Sequence, residues 1–207
     1  MKLVCHIVYI GVVIIDLLKC NNLLIRAYWF YLVYYIVMPL KPNFHSITLS
    51  DAEKIYKRIK KILPYKTYLV GSSRREEEHI NDIDIMVIDA NANILLSHIK
   101  TILSKIERAG DRLINGVYHF KSKPVFVDFF IVLKQELPYA MLQYTGPKTY
   151  NIRIRKYVKD KGWLLNQYGL FYASRPNVRV KGTSSIKTER ELINFIGTHY
   201  YHPRDRH

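Results

Sequence analysis

Two apolar segments of this chain contain aspartates where an uncompensated carboxylate would be costly, and this pattern constrains the fold strongly. Asp82 and Asp84 lie two residues apart in a segment that continues to Ile88, and Asp128 is the only acid within 124–133. Because side chains alternate along a strand, Asp82 and Asp84 project from the same face. If both segments are neighbouring strands of one sheet, the three carboxylates converge.

Such convergence predicts a divalent-metal site. Carboxylates this close repel one another, and a cation relieves the repulsion. Oxygen ligands of this kind favour Mg²⁺ or Mn²⁺, and three carboxylates can hold two ions. The alternative is structural: Asp82 caps a strand, Asp84 is solvated and Asp128 is ion-paired. A phosphate-binding pattern upstream of the aspartates argues for the metal site.

That pattern is the segment 71–75 (Gly-Ser-Ser-Arg-Arg), which precedes three glutamates, 76–78, typical of the first turn of a helix. The glycine, Gly71, lets the backbone approach a ligand closely, and N–H groups at the start of a helix face an anion. We expect Ser72 to donate its hydroxyl and Arg75 to bind the β- and γ-phosphates of a nucleotide. Together with the aspartates, the segment predicts nucleotidyl transfer.

Hydrophobic periodicity divides the body of the chain into helices and strands, which predicts an α+β fold. Helices are expected at 51–62, 94–106 and 138–142, and between Thr188 and Gly197. Strands are expected at 67–70, 83–88, 116–120 and 124–133. Capping-box patterns mark helix starts at Ser50 and Thr188. The pair Asn115-Gly116 is typical of a turn before a strand.

The chain carries a formal charge of +15, and most of the excess lies in its last third. Residues 147–207 hold thirteen lysines and arginines against four acids. Such an excess favours a polyanionic partner, nucleic acid first and an acidic membrane surface second, over a merely soluble basic surface. We expect Lys148, Arg153, Arg155 and Lys156 to lie on one helix and to contact nucleic-acid phosphates without reading sequence. A solvated helix face is the alternative.

The first 37 residues form a leader dominated by apolar side chains. Its two apolar runs, 3–18 and 27–37, are each shorter than the roughly 20 residues that a spanning helix needs. Three interpretations stay open: a translation start assigned too early, with Met38 as the true start; a membrane anchor or hairpin; or a packed structural element. Both cysteines, Cys5 and Cys20, lie in the leader. The body can therefore form no disulfide, and we expect a reducing intracellular compartment.

Several segments, in order, resemble the family X DNA polymerases, the DNA polymerase β type. One resembles the signature of the nucleotidyltransferase superfamily: GSSRREEEHINDIDIMV (71–87). With the later strand around Asp128, it resembles the palm of family X. Two more resemble the subdomain that follows, most closely in the small viral members: PYAMLQYTGPKTYNIRIR (138–155) and LNQYGLF (165–171). The resemblance covers about residues 50–200 and does not include the leader.

The resemblance implies a nucleotidyltransferase palm with a mixed β-sheet at 38–137 and a small basic lobe at 138–207 that selects nucleotides and binds DNA. It implies DNA-directed DNA synthesis on a primer 3′-hydroxyl with two Mg²⁺ ions, or Mn²⁺, and short-gap filling in base-excision repair. The implied partners are a dNTP and gapped or nicked DNA. The protein is expected to be a monomer without an obligate protein partner, and a viral member would act in the host cytoplasm or the virion.

The resemblance also implies roles for individual residues. Tyr144 and Gly146 would line the sugar pocket, and Asn151 would contact the edge of the incoming base. Arg155 would lie near the template strand. Asp128 would sit beside the attacking 3′-hydroxyl as its proton acceptor or as a metal ligand.

The chain also departs from the family pattern. No segment resembles the N-terminal lyase domain of larger members, so we expect polymerase activity without lyase activity. Gln143 stands where larger members have an aromatic residue, and Asn81, which we expect beside the nucleotide, replaces the more usual glycine. Two other functions stay open: a template-independent or RNA-directed nucleotidyltransferase, and a non-catalytic nucleic-acid-binding protein that kept the fold.

Overall fold

Residues 46–206 are described by a computed structural model of the chain. The leader at 1–37 lies outside them. Between residues 46 and 206, no helix combines the length and the apolarity that a membrane span requires.

Helices and strands alternate through the first part of the described chain, and helices around a small sheet follow. The helices are α1 (Leu49–Ile62), α2 (Gly71–Arg74), α3 (Ala92–Ile99), α4 (Leu137–Thr145), α5 (Lys148–Asp160) and α6 (Glu189–Ile196). The strands are β1 (Ile47–Thr48), β2 (Thr67–Leu69), β3 (His79–Ile80), β4 (Asp82–Ile88), β5 (Leu103–Ala109), β6 (Leu113–Phe120), β7 (Lys123–Val132), β8 (Trp163–Asn166), β9 (Gly169–Tyr172) and β10 (Arg175–Arg179).

A five-stranded sheet in the order β2-β4-β7-β6-β5 positions the acidic residues. Strands β4 and β7 run parallel, and the other three pairs are antiparallel. The sheet is therefore mixed, and the prediction of an α+β fold with a mixed sheet is confirmed. Within the described residues the first element begins at Ile47, and no lyase domain precedes the sheet there.

The two faces of this sheet are covered differently, because side chains alternate along each strand. On the back face, Ile83 and Ile85 of β4 pack with Ile55 and Ile59 of α1 and with Leu95 of α3. All five side chains are buried, and each contributes roughly 1.5–3 kcal/mol by leaving water. The front face carries the aspartates.

On the front face, Met86 of β4 and Val132 of β7 pack with Ala140 of α4. This contact holds α4 against the front face of the sheet. The chain segment that follows α4 is thereby directed toward the aspartates.

A second cluster of buried residues joins α5, α6 and the three-stranded sheet β10-β9-β8. Leu170 of β9 and Ile193 of α6 belong to it. Helix α6 begins after a capping box formed by Thr188 and Glu191, and Gly197 caps its C-terminus. The helix predicted there is confirmed. The division of the body at residues 137 and 138 stays a prediction.

The helix predicted at 94–106 is wrong in its second half. Helix α3 ends at Ile99, and Leu103–Ala109 forms β5 at the edge of the sheet. Ile99 is buried as a helix residue, but Ile106 pairs with Gly116 of β6. Short apolar runs fit both helical and strand spacing, so periodicity alone could not separate the two elements.

The turn predicted at Asn115-Gly116 is also wrong, because both residues lie inside β6. Gly116 is needed there for close approach of two strands. A Cβ atom at this position would lie 2.2 Å from the carbonyl oxygen of Lys105 in β5. The glycine therefore allows β5 and β6 to pair closely and does not indicate a turn.

Two helix starts differ from the sequence interpretation. Residues 76–78 are not helical: the short helix is α2, which begins at Gly71, and Glu76 has a φ of 59°. Helix α1 is capped by Thr48, whose hydroxyl accepts the N–H of Asp51, and not by Ser50.

Candidate active site

Asp84 and Asp128 lie opposite each other on the parallel strands β4 and β7. Asp82 precedes Asp84 by two residues and projects from the same front face. Carboxylate oxygens of the three residues lie within 4.8 Å of one another, and all three side chains are partly exposed. The structure thus brings together the three acids that the sequence singled out.

This donor set fits a hard divalent cation. The group offers only carboxylate oxygens, which Mg²⁺ and Mn²⁺ prefer. It contains no histidine or cysteine, so it differs from zinc sites built on nitrogen and sulfur. Asp82, Asp84 and Asp128 are the residues that would hold the metal.

Helix α2 places the backbone of the predicted phosphate-binding segment against the acids. Gly71 has a φ of 64°, and a Cβ atom at this position would lie 1.9 Å from Asp84 Oδ2. Glycine is needed here both for the backbone angle and for the close approach. A bound phosphate and a metal on Asp84 would therefore be neighbours.

A cleft of about 440 Å³ opens in front of α2, Asp82 and Asp84. Its lining includes Asp82, Asp84 and every residue predicted to bind the nucleotide: Gly71, Ser72, Arg75, Asn81, Tyr144, Gly146 and Asn151. Lys148 and Arg155 of the predicted DNA-binding set also line the cleft. Arg153 and Lys156 lie elsewhere on the same helix, α5. The cleft is thus built from two segments distant in sequence, and the roles of its residues stay predictions.

Arg75 spans the cleft from α2 toward the end of α4. Its Nη1 donates a hydrogen bond to the carbonyl oxygen of Thr145. Its Nε and Nη2 donate to Glu77 Oε1 at 2.8 and 2.5 Å. A phosphate and Glu77 would compete for the same N–H groups, a contact that the sequence did not predict.

Tyr144 forms part of the cleft wall, and its side chain is uncharged. Its ring stacks on Phe130 with centroids 4.0 Å apart. Burial raises the pKa of its hydroxyl to about 12; Tyr168 and Glu136 add to this rise and Arg112 opposes it. At physiological pH the hydroxyl is therefore protonated and can donate a hydrogen bond.

Gln143 orients two residues of the predicted site. Asn151 Nδ2 donates to the Gln143 carbonyl oxygen at 2.8 Å, and Arg155 donates to Gln143 Oε1. In the sequence, Gln143 was notable only as a departure from the family pattern. Its contacts make it a positioning residue for Asn151 and Arg155.

Arg74, adjacent to Arg75, is the partly exposed member of an ionic group that sequence reasoning missed. Its Nη2 donates to Glu189 Oε2 at 2.9 Å, and Arg206 Nη1 lies 2.7 Å from Glu189 Oε1. The Arg206 side chain is fully buried and that of Glu189 is 3% exposed. Arg74 Nη1 also donates to Thr145 Oγ1. The group ties the cleft to α6 and to the last described residues.

Known proteins include sequence relatives of this chain. Residues 140–207 match the family model described as DNA polymerase beta thumb. Repair DNA polymerase X from a Namibian warthog isolate of African swine fever virus is 40% identical over 152 residues, which cover 70% of this chain and 84% of that protein. Its counterpart in a Kenyan pig isolate is 34% identical over 177 residues, covering 77% of this chain and 99% of that protein.

Among solved structures, the described fold is similar to that of Leishmania infantum polymerase beta in a ternary P/T complex. The TM-score is 0.68 at 20% sequence identity, and the match covers 78% of this chain and 77% of that chain. At this identity the likeness shows the fold alone.

Proposed function

This chain belongs to family X of the DNA polymerases, and we propose that it adds deoxynucleotides to a primer 3′-hydroxyl as directed by a template strand. Membership rests on the repair DNA polymerase X relatives. One observation carries the proposal: Asp84 and Asp128 face each other in register, and Asp84 lies against the Gly71 backbone. We further propose a monomer that fills short gaps, as in base-excision repair.

The acids are proposed to hold two divalent ions, Mg²⁺ or Mn²⁺. Bound there, such ions lower the pKa of an attacking hydroxyl and stabilise the charge on a triphosphate and its leaving group. Asp82, Asp84 and Asp128 supply the ligand oxygens. Asp128 is assigned a second role: it accepts the proton of the 3′-hydroxyl as the new P–O bond forms and pyrophosphate leaves.

The cleft is proposed to hold the incoming dNTP. Backbone N–H groups at the start of α2, the Ser72 hydroxyl and the Arg75 guanidinium face its triphosphate. Tyr144 lies beside the sugar and Asn151 beside the base edge. All of these residues line the same cleft, which supports a single nucleotide site.

DNA is proposed to follow the basic residues of α5. Lys148 and Arg155 line the cleft, and Arg153 and Lys156 extend the positive charge along the helix. Contacts of this type go to phosphates and depend on salt rather than on sequence. A similar fold, that of Leishmania infantum polymerase beta, has been solved in a ternary gap complex, at 19% identity and a TM-score of 0.67.

Single-nucleotide gap filling tests this function. A duplex with a one-nucleotide gap is offered with each dNTP in turn, for each of the four template bases, with Mg²⁺ or Mn²⁺. We expect extension to require the metal, and the favoured nucleotide to change with the template base. The same nucleotide favoured at every template base would indicate a template-independent nucleotidyltransferase instead. Extension on an RNA template but not on DNA would indicate an RNA-directed enzyme.

Gly71→Ala is expected to lower kcat/KM for gap filling by at least about 100-fold. The added Cβ would displace the Asp84 carboxylate, and a misplacement of about 1 Å in an active site can cost this much. Single-turnover incorporation measures the effect, and circular dichroism checks that the variant is folded.

Gly162→Ala is the matched control for this variant. Gly162 has a φ of 72°, similar to that of Gly71, but nothing lies within 4 Å of an added Cβ. The control therefore carries the backbone strain without the clash. Equal activity losses in the two variants would show that strain, and not displacement of Asp84, causes the effect.

A further inference from the structure

Helix α1 exposes a dense group of positive side chains that the proposed catalytic reaction does not use. We call this group the basic ridge; it consists of Lys54, Lys57, Arg58, Lys60 and Lys61, all exposed. Lysines 54, 57 and 61 are spaced three and four residues apart, so they follow one face of the helix.

Acidic residues neutralise little of this ridge. Helix α1 itself contains Asp51 and Glu53. Asp51 Oδ1 forms two ion pairs. Lys54 Nζ lies 3.4 Å from it, and Nζ of Lys121, from the turn before β7, lies 3.0 Å from it. Among residues 46–206, no ion pair involves the other four members of the ridge.

The ridge faces away from the active site. Helix α1 packs through Ile55 and Ile59 on the back face of the sheet, whereas Asp84 and Asp128 lie on the front face. The sheet therefore lies between the apolar face of α1 and these acids. We therefore expect a short gapped duplex held at the acids to leave the ridge free.

We propose that the basic ridge binds the phosphate backbone of a second segment of duplex DNA while the cleft holds the first. Point charges on flexible lysine side chains suit phosphates and read no base sequence. An enzyme with two such sites stays bound to long DNA when the cleft releases one gap and searches for another.

The same helix argues against a membrane surface as the partner. An interfacial helix inserts its own apolar face between lipids. The apolar face of α1 is already buried in the protein, with Ile55 and Ile59 at 0% and 1% exposure. The charged side chains of the ridge are left outward, and duplex DNA carries one negative charge per roughly 1.7 Å of its axis.

A capture experiment tests the proposal with the full-length chain. Protein is bound to an immobilised, gapped short duplex, and retention of a second, fluorescent intact duplex is measured. The ridge variant replaces Lys54, Lys57, Lys60 and Lys61 with glutamine, a good helix former. We expect capture to fall at least about tenfold, and the log–log salt slope of capture to become shallower by roughly 3 to 4. Gap filling on the short duplex should stay within about twofold.

A charge-matched variant separates the ridge from net charge. It replaces four exposed lysines elsewhere with glutamine: Lys100, Lys105, Lys134 and Lys181. Full capture by this variant supports the proposal. Unchanged capture by the ridge variant, or an equal loss in both variants, overturns it. The ridge variant could also capture DNA normally but fail to bind vesicles of anionic phospholipid. This result would overturn the proposal and indicate that the ridge binds a membrane surface. Gap filling is scored separately, so failure of the catalytic proposal is distinguishable.

Discussion

Replacing Asp128 with asparagine is expected to lower nucleotide incorporation by at least about 10³-fold. The substitution removes a charged ligand and the proposed proton acceptor at the point where β4 and β7 bring the acids together. Loss of metal-based stabilisation of several kcal/mol corresponds to a factor of this size. Asparagine has nearly the same volume as aspartate, so the sheet should form normally. Single-turnover gap filling measures the loss.

Metal binding gives this prediction a second measurement. Mg²⁺ bound to the native state should raise the Tm of the unaltered protein, and the rise should be smaller in Asp128→Asn. Asp111→Asn, at an exposed acid between β5 and β6, is the control and should change neither quantity. Incorporation by Asp128→Asn within tenfold of the unaltered protein would contradict the assigned role and favour a non-catalytic DNA-binding protein.

Replacing Glu189 with glutamine is expected to lower the free energy of unfolding by about 3–5 kcal/mol. Glu189 lies between Arg74 and the fully buried Arg206. Removing its charge leaves the Arg206 guanidinium buried without its counter-ion, and this is more costly than losing an exposed pair. Urea denaturation followed by circular dichroism measures the change.

Two further variants make this result interpretable. Glu53→Gln removes an exposed acid from α1 and should change stability by no more than about 0.5 kcal/mol. Glu189→Gln combined with Arg206→Met removes both buried charges and should recover part of the loss. If Glu189→Gln alone does not fold, recovery of folding in the double variant would show that the unpaired buried charge causes the loss of stability. A single variant as stable as the unaltered protein would show that the ionic group adds nothing.

Local pattern was sufficient to predict the acids of the site. Alternation places Asp128 on the face opposite Val127 and Phe129, and both of these are fully buried. Asp82 and Asp84 likewise share one face of β4. A strand's period of two is set by the backbone itself, so such an inference needs no knowledge of the rest of the fold.

Features that depend on tertiary contacts could not be predicted in this way. Whether Ile106 belonged to α3 or to a new strand was decided by pairing with β6. The meeting of Arg74, Glu189 and Arg206 joins residues that are far apart in sequence. Each of the three stands in an ordinary charged stretch, and only the packed structure shows that Arg74 meets the buried charges of Glu189 and Arg206.

Pairing of β4 with β7 also has a consequence for the order of events during folding. A helix and two strands separate these two strands along the chain. Helices such as α1 and α5 close only local contacts, whereas this pairing must first close a long loop. The opposed aspartates should therefore form only when this slow, non-local step is complete. Catalytic competence would then arrive late in folding, with completion of the sheet.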